Sequence, residues 1–259
     1  MGKDSKISWT DHTFNPWWGC VKVSPGCKNC YAETLSKRTG VDCWGPSAAR
    51  RVFADKHWAE PLRWNAAAEK AGVRRRVFCG SMCDWCEDHA MVNDLRPRIW
   101  QLWRETPWLD WLMLTKRPER LPVCLPGDWN FGLRNVWLGT SIESQEYLWR
   151  LSALVRVHAP VHFLSCEPLL GPIDFIDESV HGRFSGLELG IDWVIIGGES
   201  GPGHRQMDLG WALSIYEQCQ EVDVPVWFKQ VSGARSGMGE DALGQVVQEL
   251  PRRVMTADH

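Results

Sequence analysis

Three cysteines fall close together in the segment W-G-Cys20-V-K-V-S-P-G-Cys27-K-N-Cys30-Y-A. Pro25 and Gly26 favour a turn between the first thiol and the other two, so Cys20, Cys27 and Cys30 can converge on one metal. In a reducing compartment, clustered cysteines serve as metal ligands or catalytic groups rather than as disulfide partners. Three thiolates leave one coordination position open, which suits either a [4Fe–4S] cluster with an exposed iron or a catalytic zinc. A structural zinc completed by His12 or Cys43 is the third reading of the same spacing.

A second trio, Cys79, Cys83 and Cys86, has a C-x3-C-x2-C spacing that also suits an iron–sulfur cluster. Cys79, however, lies in the strand-like run R-R-V-F-C-G-S, where a small buried thiol is an ordinary packing residue. Cys43, Cys124, Cys166 and Cys219 read as core or loop thiols.

Such thiols need a scaffold, and from residue 73 onward short apolar runs alternate with longer helical stretches. The expected strands are Arg75–Gly80, Trp108–Leu114, Asn135–Gly139, Val161–Ser165, Trp193–Gly197 and Val224–Gln230, with Lys6–Thr13 as a further one. Their apolar residues do not alternate strictly, which predicts burial on both faces of a parallel sheet. Helices are expected over Val92–Glu105, Gln145–Val157 and Leu209–Glu221. This β/α rhythm predicts an α/β fold, a partial or near-complete (β/α) barrel, with an open doubly wound sheet as the alternative. Residues 174–190 read as a loop or insertion. The division expected is a barrel domain over 1–232 and a tail over 233–259 packed on it.

In such barrels the chemistry sits at the C-terminal ends of the strands. Polar clusters occur there repeatedly: Gly80-Ser81-Met82-Cys83-Asp84, Thr115-Lys116-Arg117, Thr140-Ser141-Ile142-Glu143, Cys166-Glu167-Pro168 and Gly198-Glu199-Ser200. That pattern predicts an enzyme. Lys116, Arg117, Glu167, Lys229 and Gln230 are candidate substrate contacts, Lys116 and Arg117 as a clamp for phosphate or carboxylate. An ordinary ion-pair network of Lys116 and Arg117 with Glu119 and Glu167 is the alternative.

Composition sets the outer limits. The 259 residues are 44% hydrophobic and 24% charged, ordinary for a chain that buries a core and unlike a disordered chain or a coiled coil. No apolar run approaches the ~18 residues of a membrane helix, and the polar start MGKDSKISWTDHT does not read as a secretory leader. A cytoplasmic protein with no membrane partner is therefore expected. The net charge of −3 supplies no global field for nucleic acid. Seventeen tryptophans are scattered along the chain, which predicts core residues rather than one aromatic groove.

The segment S-W-T-D-H-T-F-N-P-W-W-G-C-x6-C-x2-C-Y-A resembles the phage- and prophage-encoded three-cysteine-motif proteins, which look like relatives of the radical SAM enzymes. The segments F-C-G-S-M-x-D, L-T-K-R-P-E-R, W-L-G-T-S-I-E-S-Q, F-L-S-C-E-P-L-L-G-P, W-V-I-I-G-G-E-S-G and V-W-F-K-Q agree in order, so the resemblance runs from Ser8 to Gln230. The first gap is six residues, where the main radical SAM pattern has three.

The resemblance implies a barrel of the radical SAM type. Cys20, Cys27 and Cys30 would hold a [4Fe–4S] cluster whose open iron binds SAM, and one-electron cleavage of SAM would give a 5′-deoxyadenosyl radical. Tyr31 would lie near the adenine. The turn Gly80-Ser81-Met82 would meet the SAM amino group, with Asp84 standing in for the usual acidic residue. Ser141 and Glu143 would hold the ribose and carboxylate, and Gly197, Gly198 and Glu199 would contain the nucleoside. Ser141 as a helix N-cap and Gly197-Gly198 as a plain tight turn are the bland alternatives. An electron donor is implied, a partner protein is allowed, and the phage setting of the relatives suggests a nucleotide, DNA or RNA base as substrate. The rival functions are a zinc-dependent hydrolase or deaminase-like enzyme using Glu143 or Glu167 for proton transfer, and a non-catalytic metal-stabilised binding module.

Overall fold

The computed structural model describes residues 2, 4–177 and 184–252. Residues 178–183 of the expected loop and 253–259 of the expected tail lie outside the described residues. The chain divides into two compact units, one of Met1–Leu138 with His158–Pro160, the other of Gly139–Val157 with Val161–His259. The described part of the expected tail, residues 233–252, therefore belongs with the second unit.

The first unit opens with β1 (His12–Phe14) and the short strands β2 (Trp17–Trp18) and β3 (Arg51–Val52), which flank α1 (Tyr31–Arg38). Helices α2 (Asp55–Trp58) and α3 (Glu60–Ala71) follow, then β4 (Arg75–Cys79), α4 (Ala90–Glu105), β5 (Leu109–Thr115) and the single turn α5 (Leu121–Cys124). Gly72, at φ 63, ends α3 in the left-handed conformation that glycine takes without strain. Helix α4 buries Val92, Arg96, Ile99, Leu102 and Trp103, one stripe at helical spacing. β1 pairs parallel to β4 with His12 opposite Val77, and β4 pairs parallel to β5 with Val77 opposite Trp111. The first strand is shorter and later than Lys6–Thr13 because residues 5–11 turn instead, Ser5 donating to the Asp11 carbonyl at 2.8 Å.

Strand β6 (Val136–Ser141) begins in the first unit and ends in the second. The second unit continues with α6 (Trp149–Leu154), β7 (His162–Cys166), the two-residue strands β8 (Ile176–Asp177) and β9 (Phe184–Ser185), β10 (Trp193–Gly197), α7 (Leu209–Glu221) and β11 (Val226–Gln230). β7 and β11 both pair parallel to β10, with Leu164 opposite Val194 and Ile195 opposite Trp227. The strand order of the seven-stranded sheet is β1-β4-β5-β6-β7-β10-β11. All residues of β6, β7 and β10 are buried, which is why their sequences run apolar without alternation. The expected helix over Gln145–Val157 is instead a 3₁₀ turn, Gln145–Tyr147, followed by α6, which ends before the β-branched Val155 and Val157. The chain then returns to β11: Glu249 donates to the Val226 carbonyl at 2.9 Å, and Phe228 donates to that of Val247 at 2.8 Å.

Most of the tryptophans are core residues as expected, though Trp149 is exposed. Trp17, Trp85, Trp103, Trp111 and Trp137 are fully buried in the first unit, and Trp193 in the second. Among the described residues no helix is long and apolar enough to cross a membrane.

Candidate metal centre and strand-end sites

The thiol loop starts at Gly19, whose N–H donates to the Met82 carbonyl at 3.0 Å. Its φ of +116 belongs to glycine, and a Cβ there would be driven into the Cys43 carbonyl. Pro25 opens the 3₁₀ turn Pro25–Cys27, and Cys30 stands at the N-cap of α1. Tyr31, the next residue, donates its hydroxyl to the Ser81 carbonyl at 2.8 Å while about half its surface stays exposed (49%). The loop is thus pinned at both ends to the turn after β4.

Cys20, Cys27 and Cys30 are half-buried free thiols, whereas Cys43, Cys79, Cys86, Cys124, Cys166 and Cys219 are buried. Burial pushes the Cys30 thiol up, and the N–H groups of Glu33 and Ala32 in the first turn of α1 act against it by hydrogen-bonding the sulfur. Burial, reinforced by the nearby Asp84 charge, also pushes the Cys20 thiol up, with the Arg117 guanidinium opposing. Cys27 and Cys30 act on each other electrostatically, while the charged groups around Cys20 are Asp84, Arg117 and Glu87. Among the described residues no three His, Cys, Asp or Glu side chains form a ready metal-binding group. What the loop offers is donor chemistry: three half-buried thiols in a short span, one at a helix N-terminus whose N–H groups favour thiolate. Three cysteine side chains are the donor type that cysteine-ligated clusters use.

The turn after β4 is held from below by Asn15, which donates to Ser81 Oγ at 3.0 Å and accepts from the Met82 N–H at 2.8 Å. Asp84 is buried and accepts four hydrogen bonds, from the Cys86 N–H (3.0 Å), Thr115 Oγ1 (2.6 Å), the Lys116 N–H (3.0 Å) and Arg117 Nη1 (2.7 Å). Four donors fill the lone-pair sites of a carboxylate. Arg117, read from the sequence as a substrate clamp, is committed inside the protein: it also donates to the Val21 carbonyl at 2.7 Å and lies 3.8 Å from Cys20 Sγ. The second cysteine trio divides. Cys83 neighbours Cys79 and Cys20, and Cys86 pairs with Cys124, whose thiol lies 3.7 Å from the Cys86 carbonyl.

In the second unit, Ser141 lies within β6 and is no N-cap; Ser144 precedes the next turn. Glu143, 1% exposed, is ion-paired with Arg150 at 2.8 Å, and Arg150 also donates to the Ser141 carbonyl at 2.8 Å while covering the Tyr147 ring at 4.3 Å. At the next strand end Glu167 pairs with Lys229 at 2.5 Å, both half-buried. Gly197 lies under Glu167, where a Cβ would stand 3.3 Å from the carboxyl carbon. Gly198 has no room for a side chain against the Ser232 backbone, so close packing requires glycine there. Glu199 is tied to Arg205, accepting from its N–H at 2.8 Å and from Nε at 3.0 Å. Gln230 is fully buried, donating to the Gly198 carbonyl at 2.9 Å and accepting from Ser236 Oγ and the Gly237 N–H, both at 2.8 Å.

The structure thus brings Cys20, Asp84 and Arg117 together, Tyr31 with Ser81, Glu167 with Lys229 and Gly197, and Gln230 with Gly198. Thr115 stood in a strand-end cluster without its tie to Asp84 being legible, and Asn15, Arg150 and Arg205 were missed by sequence reasoning. Asn15 stands in the F-N-P-W-W motif and was the one with a signal; the others are long-range or helical partners that spacing does not reveal.

Residues 4–251 match the family described as Protein of unknown function (DUF5131), and the chain belongs to it. No curated protein and no solved structure matches the chain.

Proposed function

We propose that this DUF5131 protein is a radical SAM-type iron–sulfur enzyme in which Cys20, Cys27 and Cys30 hold a [4Fe–4S] cluster, on strand–helix units of a partial (β/α) barrel. The observation that carries the reading is the placement of the thiols: those three are half-buried on one pinned loop, while six of the other seven are buried. When bound, the cluster and SAM supply one-electron cleavage of the sulfonium and thence hydrogen abstraction, chemistry that belongs to the cofactors. An electron donor is a required partner.

The chain's own residues bind and orient. The N–H groups at the start of α1 stabilise negative charge on Cys30. Tyr31 offers an exposed ring face, fixed by its hydroxyl, for stacking on an adenine. Gly80, at φ +93, lets the chain turn so that backbone groups of Ser81 and Met82 are presented near the loop. Glu167 and Lys229 are the strand-end pair with solvent access, suited to the polar groups of a substrate, for which a nucleotide or nucleic-acid base is our choice. Asp84 is saturated by internal donors, and Glu143 and Glu199 are ion-paired with Arg150 and Arg205, so in this reading they shape the site rather than touch SAM. The rival zinc hydrolase keeps only Glu167 as a proton-transfer carboxylate, since Glu143 is sealed against Arg150.

Anaerobic reconstitution tests the ligand set. Wild type and Cys219→Ala are expected to retain about four iron and four sulfide per chain, as one [4Fe–4S] cluster requires, and Cys27→Ala to lose them. Stoichiometric zinc with no sulfide, or a cluster retained by Cys27→Ala, would overturn the assignment.

A further inference from the structure

The Asp84–Arg117 pair is built more elaborately than a tie between two loops requires. Both side chains are about nine-tenths buried. Asp84 is fixed from four directions, two of them backbone N–H groups, so it cannot swing with the thiol loop. The guanidinium in turn reaches across to that loop: one arm is on the Val21 carbonyl at 2.7 Å, and the other, which holds Asp84, lies 3.8 Å from Cys20 Sγ. A planar fork with several fixed donors can make these contacts at once, and an ammonium cannot. The pair is also polarised, with its positive end against the Cys20 sulfur and its negative end anchored to the turns that follow β4 and β5.

We infer that Arg117 and Asp84 are positioning residues of the metal centre, the guanidinium holding Cys20 in its binding position and the oriented pair setting how readily the centre is reduced. The inference rests on the proposed cluster. Reduction adds negative charge to an iron–sulfur centre, and nearby fixed charge and hydrogen bonds to the sulfurs set its potential. A guanidinium beside one ligand favours the reduced state. The Asp84 carboxylate acts on Cys20 in the opposite sense and, as charge alone, at least as strongly, and in a buried site neither charge is strongly screened. Removing either charge leaves the other uncompensated, so the two removals act in opposite directions. A pair with only a structural role has no such antisymmetry.

The test uses the full chain, reconstituted anaerobically, as wild type, Arg117→Gln, Arg117→Lys and Asp84→Asn. Two quantities are read: the midpoint potential from an EPR-monitored redox titration, and the rate of iron loss to a chelator. Arg117→Gln is expected to lower the potential and to release iron faster, in line with the roughly 10–100-fold penalty typical of outer-sphere ligand supports. Asp84→Asn should raise the potential. Arg117→Lys should keep the potential nearer wild type while losing iron quickly, because the charge survives and the fork does not. Potentials that stay put, or that move the same way in Arg117→Gln and Asp84→Asn, overturn the inference. If Arg117→Gln does not fold, the opposed effects of Arg117→Lys on potential and release, with the sign of the Asp84→Asn shift, decide it. A wild-type protein that takes up no iron or sulfide rejects the cluster itself, a different failure from a cluster indifferent to this pair.

Discussion

At the scale of single residues, sequence shows a charge but not which donors and acceptors it has already used. Arg117 illustrates the gap: its position after a strand suggests a substrate clamp, yet its guanidinium is spent on Asp84, Val21 and Cys20. Gly19 makes a sharper prediction. Alanine there meets both the positive φ and the Cys43 carbonyl, so Gly19→Ala should destabilise the protein by about 2–4 kcal/mol, read from urea unfolding. A loss under about 0.5 kcal/mol would mean the loop start can move. Asp11 carries a pH prediction. Burial by itself would raise its carboxyl, but the Arg76 N–H and guanidinium, with the Arg75 charge, hold it below the usual carboxylate range. A depressed carboxyl stabilises the fold above its unfolded value near pH 4, and that contribution is lost as pH falls through the lower folded value. Thermal melts from pH 6 down to pH 3 should therefore fall less steeply for Asp11→Asn than for wild type; parallel curves would show that Asp11 contributes nothing.

At the scale of elements, the strands were readable because burial on both faces leaves near-continuous apolar runs, and α7 matched to the residue. Helices α1 and α3 were not expected. α3 buries only Pro61, Trp64 and Ala68, a stripe too thin to register as periodicity. β2 and β3, at two residues each, are shorter than any periodic signal. The helix after β6 was overextended at both ends, into the 3₁₀ turn Gln145–Tyr147 and past Leu154 toward Val155 and Val157, and the sequence does not show that Arg150 within it turns inward to Glu143. That buried pair has a measurable consequence. Arg150→Met strands Glu143 in the interior and should cost about 3–5 kcal/mol, whereas adding Glu143→Leu should recover much of the loss. Urea unfolding of both single variants and the double variant measures the coupling, and simple additivity would show the pair to be solvated after all.

At the scale of the whole molecule, the α/β class and the parallel pairing within each unit followed from the β/α rhythm. The division into two units did not, because its boundary falls inside a strand, β6, where composition does not change. The cysteine loop was the most legible part of the site, since three thiols on one turn are a local feature. The supports around it were opaque because their partners lie far along the chain: Asn15 reaches Ser81 and Met82, and Arg117 reaches Asp84 and Val21. The central claim is that the three loop thiols carry a cluster with an iron open to SAM. The most direct test is EPR of the anaerobically reconstituted, dithionite-reduced protein, recorded with and without SAM. A reduced [4Fe–4S] signal that changes on adding SAM is the predicted result. A cluster signal indifferent to SAM, or an EPR-silent protein holding stoichiometric zinc, would contradict it.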